Sequence, residues 1–185
     1  MWKPIDGNLY TPEAFDAHAR SVNLKGWKPR FVVLHNTSLP SLAQWPSTPW
    51  KARVQNLVDY YKGQHWSAGP HLFVSPDGII GFTPLNNMGV HSPSWNSCSW
   101  GVEMVGEYMT EDPSSGSGLK VYNFAVSAVA SMCDVLGVGS DTIKFHREDP
   151  KTTHKQCPGD RIVKAKFLTD VHNKILDLRA TNANA

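Results

Sequence analysis

Apolar and polar residues follow two periods along this chain, and the switches between them mark its elements. In "STPWKARVQNLVDYYKGQ", Val54, Leu57, Val58 and Tyr61 recur at helical spacing, which predicts a helix with one apolar face. Thr48 stands as its N-cap, Pro49 as its first residue and Gly63 as its terminator. Thr11 and Pro12 open "TPEAFDAHARSV" with the same device. "LKVYNFAVSAVASMCDVLG" predicts a long helix closed by Gly137. "DRIVKAKFLTDVHNKILDLRA" predicts a last one, with Asp160 as N-cap, Val171, Ile175 and Leu178 in register, and "TNANA" as a frayed tail.

Four segments carry strand character. "RFVVLH", Arg30 to His35, is apolar on both faces, as an interior strand should be. "HLFVSPDGIIGFT" reads as a hairpin with arms His71–Ser75 and Ile79–Thr83 about Pro76-Asp77-Gly78. "WGVEMVG", Trp100 to Gly106, and "TIKFH", Thr142 to His146, are the others. Glu111 to Gly118 reads as a flexible loop. Strands interleaved with helices predict an α/β fold: a single domain over residues 1–185, with a mixed central β-sheet flanked by helices.

A length of 185 residues supports one hydrophobic core and is marginal for two. The net charge of +2, with no basic run, argues against nucleic acid as a partner. The N-terminus has no basic head followed by an apolar run, and no stretch reads as a membrane span. Synthesis in the cytoplasm without a signal peptide, no membrane insertion and a monomeric state are the expectations. Three cysteines are too few for a disulfide scaffold. Cys133 reads as a core residue, and a Cys98–Cys133 pairing stays open.

Three residues break the apolar pattern: His35 and His146 end their strands, and Glu103 sits inside one. A carboxylate in an apolar strand is costly unless it is paired, hydrogen-bonded or used. A single histidine at a strand end is ordinarily structural. Two such histidines at one sheet edge, with Cys157 following His146 after a loop, make a donor set suited to zinc. Three protein ligands leave a fourth position, as catalytic sites do. His154, three residues before Cys157, is the rival ligand, and a solvated loop histidine is its favoured reading.

The segments "VVLHNTS", "SAGPHLFVSPDGII", "NNMGVHSPSWN", "SWGVEMVGEY" and "FHREDPKTTHKQCPGD" occur in an order and spacing that resemble the zinc-dependent N-acetylmuramoyl-L-alanine amidases. This amidase-2 family includes phage T7-type lysozymes, AmpD-like amidases and peptidoglycan recognition proteins. The resemblance covers about Arg30 to Asp160. It implies one catalytic zinc on His35, His146 and Cys157, Glu103 as general base and Lys155 as a catalytic lysine. It also implies that His71 and His91 line the cleft. One departure is Pro70, where part of the family carries a tyrosine.

The implied substrate is peptidoglycan or a muropeptide, cut between N-acetylmuramic acid and L-Ala. A phage or prophage-type endolysin acting on the cell wall is the leading expectation, with an AmpD-like recycling amidase as the alternative. Among the seven tryptophans, Trp66 and Trp95 border the histidine motifs and are the candidates for sugar stacking. Asn36 and Asn96 are candidate peptide contacts. Three rivals remain: from the residues, a cysteine amidase with Cys157 as nucleophile and a structural zinc site, and from the resemblance, a non-catalytic peptidoglycan-binding module.

Overall fold

The computed structural model of the protein describes residues 2–183. Six strands form one mixed sheet in the order β1-β4-β3-β5-β2-β6. They are β1 (Leu9–Tyr10), β2 (Phe31–Asn36), β3 (Leu72–Ser75), β4 (Gly78–Gly81), β5 (Ser99–Met104) and β6 (Lys144–Phe145). The helices are α1 (Pro12–Ser21), α2 (Trp50–Gly63), α3 (Gly116–Leu136) and α4 (Lys164–Ala183). β2 runs parallel to β5 and β6, β3 runs parallel to β5, and β1 and β3 are antiparallel to β4.

Strand alternation divides the side chains between two layers. Val32, Leu34, Leu72, Val74, Trp100, Val102, Met104 and Phe145 pack in one buried cluster with α3 (Val121, Ala125, Ala128, Val129 and Met132). Phe15 of α1 and Phe167, Val171 and Ile175 of α4 close the same cluster. On the other face, Phe73 and Ile80 meet Val54, Val58 and Tyr61 of α2 in a smaller cluster with Trp45, Phe82 and Val105. His35 and Glu103, partners in the β2–β5 register, alternate with Leu34, Val102 and Met104 and so belong to this second face.

Thr11 caps α1, its side chain accepting from the Ala14 amide at 3.2 Å, and Gly137 closes α3 at φ 72°. Other boundaries differ from the sequence pattern. Thr48 makes no cap; Pro49 is the N-cap of α2, and a short 3-10 turn at Trp45–Ser47 precedes it. Gly78 pairs with Ser75, so the hairpin turns on Pro76 and Asp77 alone. The loop expected at Glu111–Gly118 is ordered by Asp112, which accepts from Ser114 and Ser115, and α3 already begins at Gly116. His146 opens a 3-10 turn, His146–Glu148, after a strand of two residues.

Asp160 does not cap α4, which starts at Lys164; it pairs with Arg147 instead. α4 continues into the polar tail as far as Ala183, and the last two tail residues lie outside those described. β1 had no sequence signal, being two residues long. α3 is long and apolar enough to cross a membrane by length and composition, contrary to the reading that no stretch is, but it is the central core helix of this fold. All three cysteines are free, so Cys98 and Cys133 do not pair, and Cys133 is buried in the core.

Candidate metal centre and active site

His35 comes from the C-terminal end of β2 and His146 from the residue after β6. Because Leu34 and Phe145 are register partners, the two imidazoles emerge side by side, with ring centroids 4.3 Å apart. Cys157 comes from the loop before α4. The Asn36 amide donates to its sulfur at 3.4 Å, and the Arg147 amide donates to its carbonyl at 3.0 Å. These bonds tie the loop to both histidine segments. Gly159 then turns the chain at φ 103°, where a Cβ would lie 2.5 Å from the Tyr108 carbonyl carbon; only glycine fits. The ligand atoms of His35, His146 and Cys157 all lie within 4.8 Å of one another.

The donor set fits a zinc ion, and the hydrogen bonds around it favour one nitrogen on each ring. His35 Nε2 lies 3.1 Å from His91 Nδ1, and His146 Nε2 lies 2.8 Å from Thr152 Oγ1. Both Nε2 atoms are thus engaged by protein, which leaves the two Nδ1 atoms as the donors available to a metal. Burial pulls His146 down to about 4 and His35 well below its ordinary value, so both are the neutral imidazoles that a metal requires.

The centre lies in a cleft of about 1270 Å³. Glu103 lines the cleft opposite His35 in register, and burial raises its carboxyl to about 8. Lys155 also lines it, exposed, with its Nζ 3.5 Å from the Asp149 carbonyl. Burial pushes the Cys157 thiol well above its ordinary range, Glu103 adds to the effect, and the Asn36 amide opposes it. Cys157 lies seven residues before α4 starts, away from the helix N-terminus that would activate a cysteine nucleophile. His154 is exposed at the cleft edge, 5.5 Å ring to ring from His146, and is not part of the three-donor group.

The other expected contacts divide. Trp66 and Asn36 line the cleft. Trp66 is 41% exposed and stacks on Tyr61 at 5.2 Å, while Asn36 Nδ2 already donates to the Gly106 carbonyl. His91 lines the cleft, but both its ring nitrogens have protein partners. His71 and Trp95 are not among the residues that line the cleft. His71 is fully buried: it stacks on Trp27 at 5.6 Å, accepts from the Gly101 amide through Nδ1, and meets the Asn87 carbonyl through Nε2. Trp95 packs edge-on against Phe31. Asn96 is engaged by the backbone amides of His91 and Ser92.

Sequence reasoning missed the wall that α2 and its approach supply: Leu39, Arg53, Tyr60 and Tyr61. The signal available was Tyr60 beside Tyr61, an aromatic that breaks the polar face of an amphipathic helix. Thr152 and Asp149 were also missed, since nothing local to "REDPKTTH" marks either as a support for the centre.

Residues 25–160 match the family model described as N-acetylmuramoyl-L-alanine amidase. This chain belongs to that family. Peptidoglycan-recognition protein 2 of Holotrichia diomphalia is 28% identical over 89 residues, and the match spans 46% of this chain and 46% of that relative's length. Among solved structures, the endolysin N-acetylmuramoyl-L-alanine amidase LysCS from Clostridium intestinale superposes with a TM-score of 0.64 at 18% identity, covering 92% of this chain and 90% of that one. Drosophila PGRP-LB superposes with a TM-score of 0.61 at 22% identity, covering 77% and 82%. At these identities the likeness establishes the fold: a single mixed sheet with helices of the amidase and recognition-protein type.

Proposed function

We propose that the protein is a zinc-dependent amidohydrolase of the endolysin kind, cutting peptidoglycan between the lactyl group of N-acetylmuramic acid and L-Ala of the stem peptide. The observation that carries this reading is the convergence of His35, His146 and Cys157 at the base of a cleft, with Glu103 beside them. Family membership and the endolysin neighbours support the bond and the setting. So does the recognition protein PGRP-LB, solved as a mutant in complex with tracheal cytotoxin.

When bound, zinc supplies a Lewis acid and lowers the pKa of water toward ~7. The chain supplies the rest. A carboxyl poised at about 8 exchanges its proton near neutral pH, so Glu103 takes the proton of the attacking water and returns it to the leaving L-Ala nitrogen. Lys155 swings from the Asp149 carbonyl toward the scissile carbonyl oxygen and holds its developing negative charge. Trp66, backed by Tyr61, offers a flat apolar surface for a sugar ring.

The test is a digestion of purified peptidoglycan and of soluble muropeptides, with and without chelator, with products weighed by mass spectrometry. Intact glycan carrying free lactyl carboxylates, plus peptides with new L-Ala amino termini, is the expected result, abolished by chelator and restored by zinc. Cleavage of another bond, or cleavage indifferent to chelator, would refute the proposal.

A further inference from the structure

His91 was expected at the substrate, but its geometry points elsewhere. Its ring meets the His35 ring at 89°, with Nδ1 3.1 Å from His35 Nε2. Its Nε2 lies 3.3 Å from the Ser99 carbonyl oxygen. A carbonyl can only accept, so His91 carries its proton on Nε2. His91 Nδ1 is then an acceptor, which fixes the proton of His35 on Nε2 and leaves the lone pair of His35 on Nδ1. The backbone of β5 thus dictates, through one imidazole, which nitrogen of a second imidazole is free. We propose that His91 is a positioning residue for the metal centre, setting the tautomer and the orientation of His35 before any ion arrives. The inference deepens the zinc reading above and rests on it.

The surroundings are built to hold His91 in that pose. Gly101 lies beneath its ring: a Cβ there would lie 2.4 Å from His91 Cγ, so the strand gives up a side chain to admit the imidazole. The His91 amide donates to Asn96 Oδ1 at 2.7 Å, and the neighbouring Ser92 amide donates to the same oxygen at 2.8 Å. Asp149 then joins the two segments that support the centre. Its Oδ2 accepts from Ser92 Oγ at 2.5 Å and from the Ser94 amide at 2.9 Å, while Oδ1 accepts from the Lys151 amide. The same carboxylate therefore pins the His91 segment to the loop that carries Thr152, the hydrogen-bond partner of His146. Both imidazoles that face the metal are oriented from this one joint.

The test has two arms on the full chain. In the wild-type protein freed of metal, long-range proton–nitrogen NMR reports the ring tautomers; Nε2–H on both His35 and His91 is expected. An Nδ1–H tautomer at His35 would overturn the proposal. In the second arm, zinc affinity is measured by competition with a chromogenic chelator for wild type, His91→Leu and His91→Asn. Leucine removes the acceptor, whereas asparagine places Oδ1 near the position of Nδ1. Leucine should weaken zinc binding by about ten- to a hundredfold, the effect typical of losing such a support, and asparagine should recover most of it. Equal affinity in all three, or equal loss in both variants, would overturn the positioning role. Absence of zinc binding by wild type would instead overturn the metal centre itself, and the tautomer arm is readable in either case.

Discussion

Leu34 and His35 are neighbours in β2, yet they work in different parts of the molecule. Leu34 points into the layer formed with α3, where the buried side chains around it are apolar. His35 points into the cleft, among two further histidines, a cysteine and a carboxyl. The same division holds in β5 between Val102 and Glu103, and around β6 between Phe145 and His146. Both faces bury apolar side chains that stabilise the fold. The cleft face also holds polar groups whose desolvation costs stability, as the raised Glu103 carboxyl and the depressed histidines record. A fully packed layer behind the strands lets the cleft face keep such groups in fixed places.

Substitutions on the two faces should therefore separate cleanly. The largest effect is expected at Cys157→Ala: zinc binding and peptidoglycan hydrolysis should both be lost, while the metal-free protein keeps its helical circular dichroism. Retained zinc would break the assignment. Glu103→Gln should lower kcat by about a hundredfold to ten-thousandfold with zinc still bound, measured on soluble muropeptide.

The same Glu103 variant sharpens the cost side. The carboxyl titrates from about 8 in the folded protein, against 4.5 ordinarily, so between those values the folded chain holds a proton that the unfolded chain has released. Glu103 thus subtracts stability from the metal-free protein as pH rises from about 4.5 through 8, while the buried histidines add stability up to about 6.5, so the wild-type midpoint relative to that of Glu103→Gln should fall across the range. Urea midpoints at the two ends of this range, with chelator present, measure it.

Leu34→Ala, one residue from the ligand, should do the opposite of the cleft variants. It should cost about 2–5 kcal/mol of unfolding free energy and leave zinc affinity essentially unchanged. Loss of zinc with little destabilisation would show that the two faces are not independent. Trp66→Ala is the smallest: a rise in KM of a few fold, consistent with losing about 0.5–1.5 kcal/mol of stacking, and little change in kcat.

The sequence pattern found the four helices, every strand but β1, and His35, His146 and Cys157 as candidate ligands, because periodicity and residues that violate it are local signals. It placed His146 on a strand and Asp160 at a helix start, since a two-residue strand and a displaced helix start have no distinctive spacing. His71 and His91 looked equivalent in sequence, each a histidine in a Gly-rich setting. Packing separates them: Trp27 and the Gly101 amide enclose the first, while the second reaches His35. Thr152, Asp149 and the α2 wall depend on contacts between distant segments, which no window of sequence contains.

Zinc K-edge X-ray absorption on the zinc-loaded protein addresses the centre most directly. Three side chains from separate segments holding one ion predict two nitrogen scatterers at about 2.0–2.1 Å and one sulfur at about 2.3 Å, with the sulfur signal absent in Cys157→Ser. A spectrum with no sulfur shell in the wild type, or one unchanged by that substitution, would contradict it.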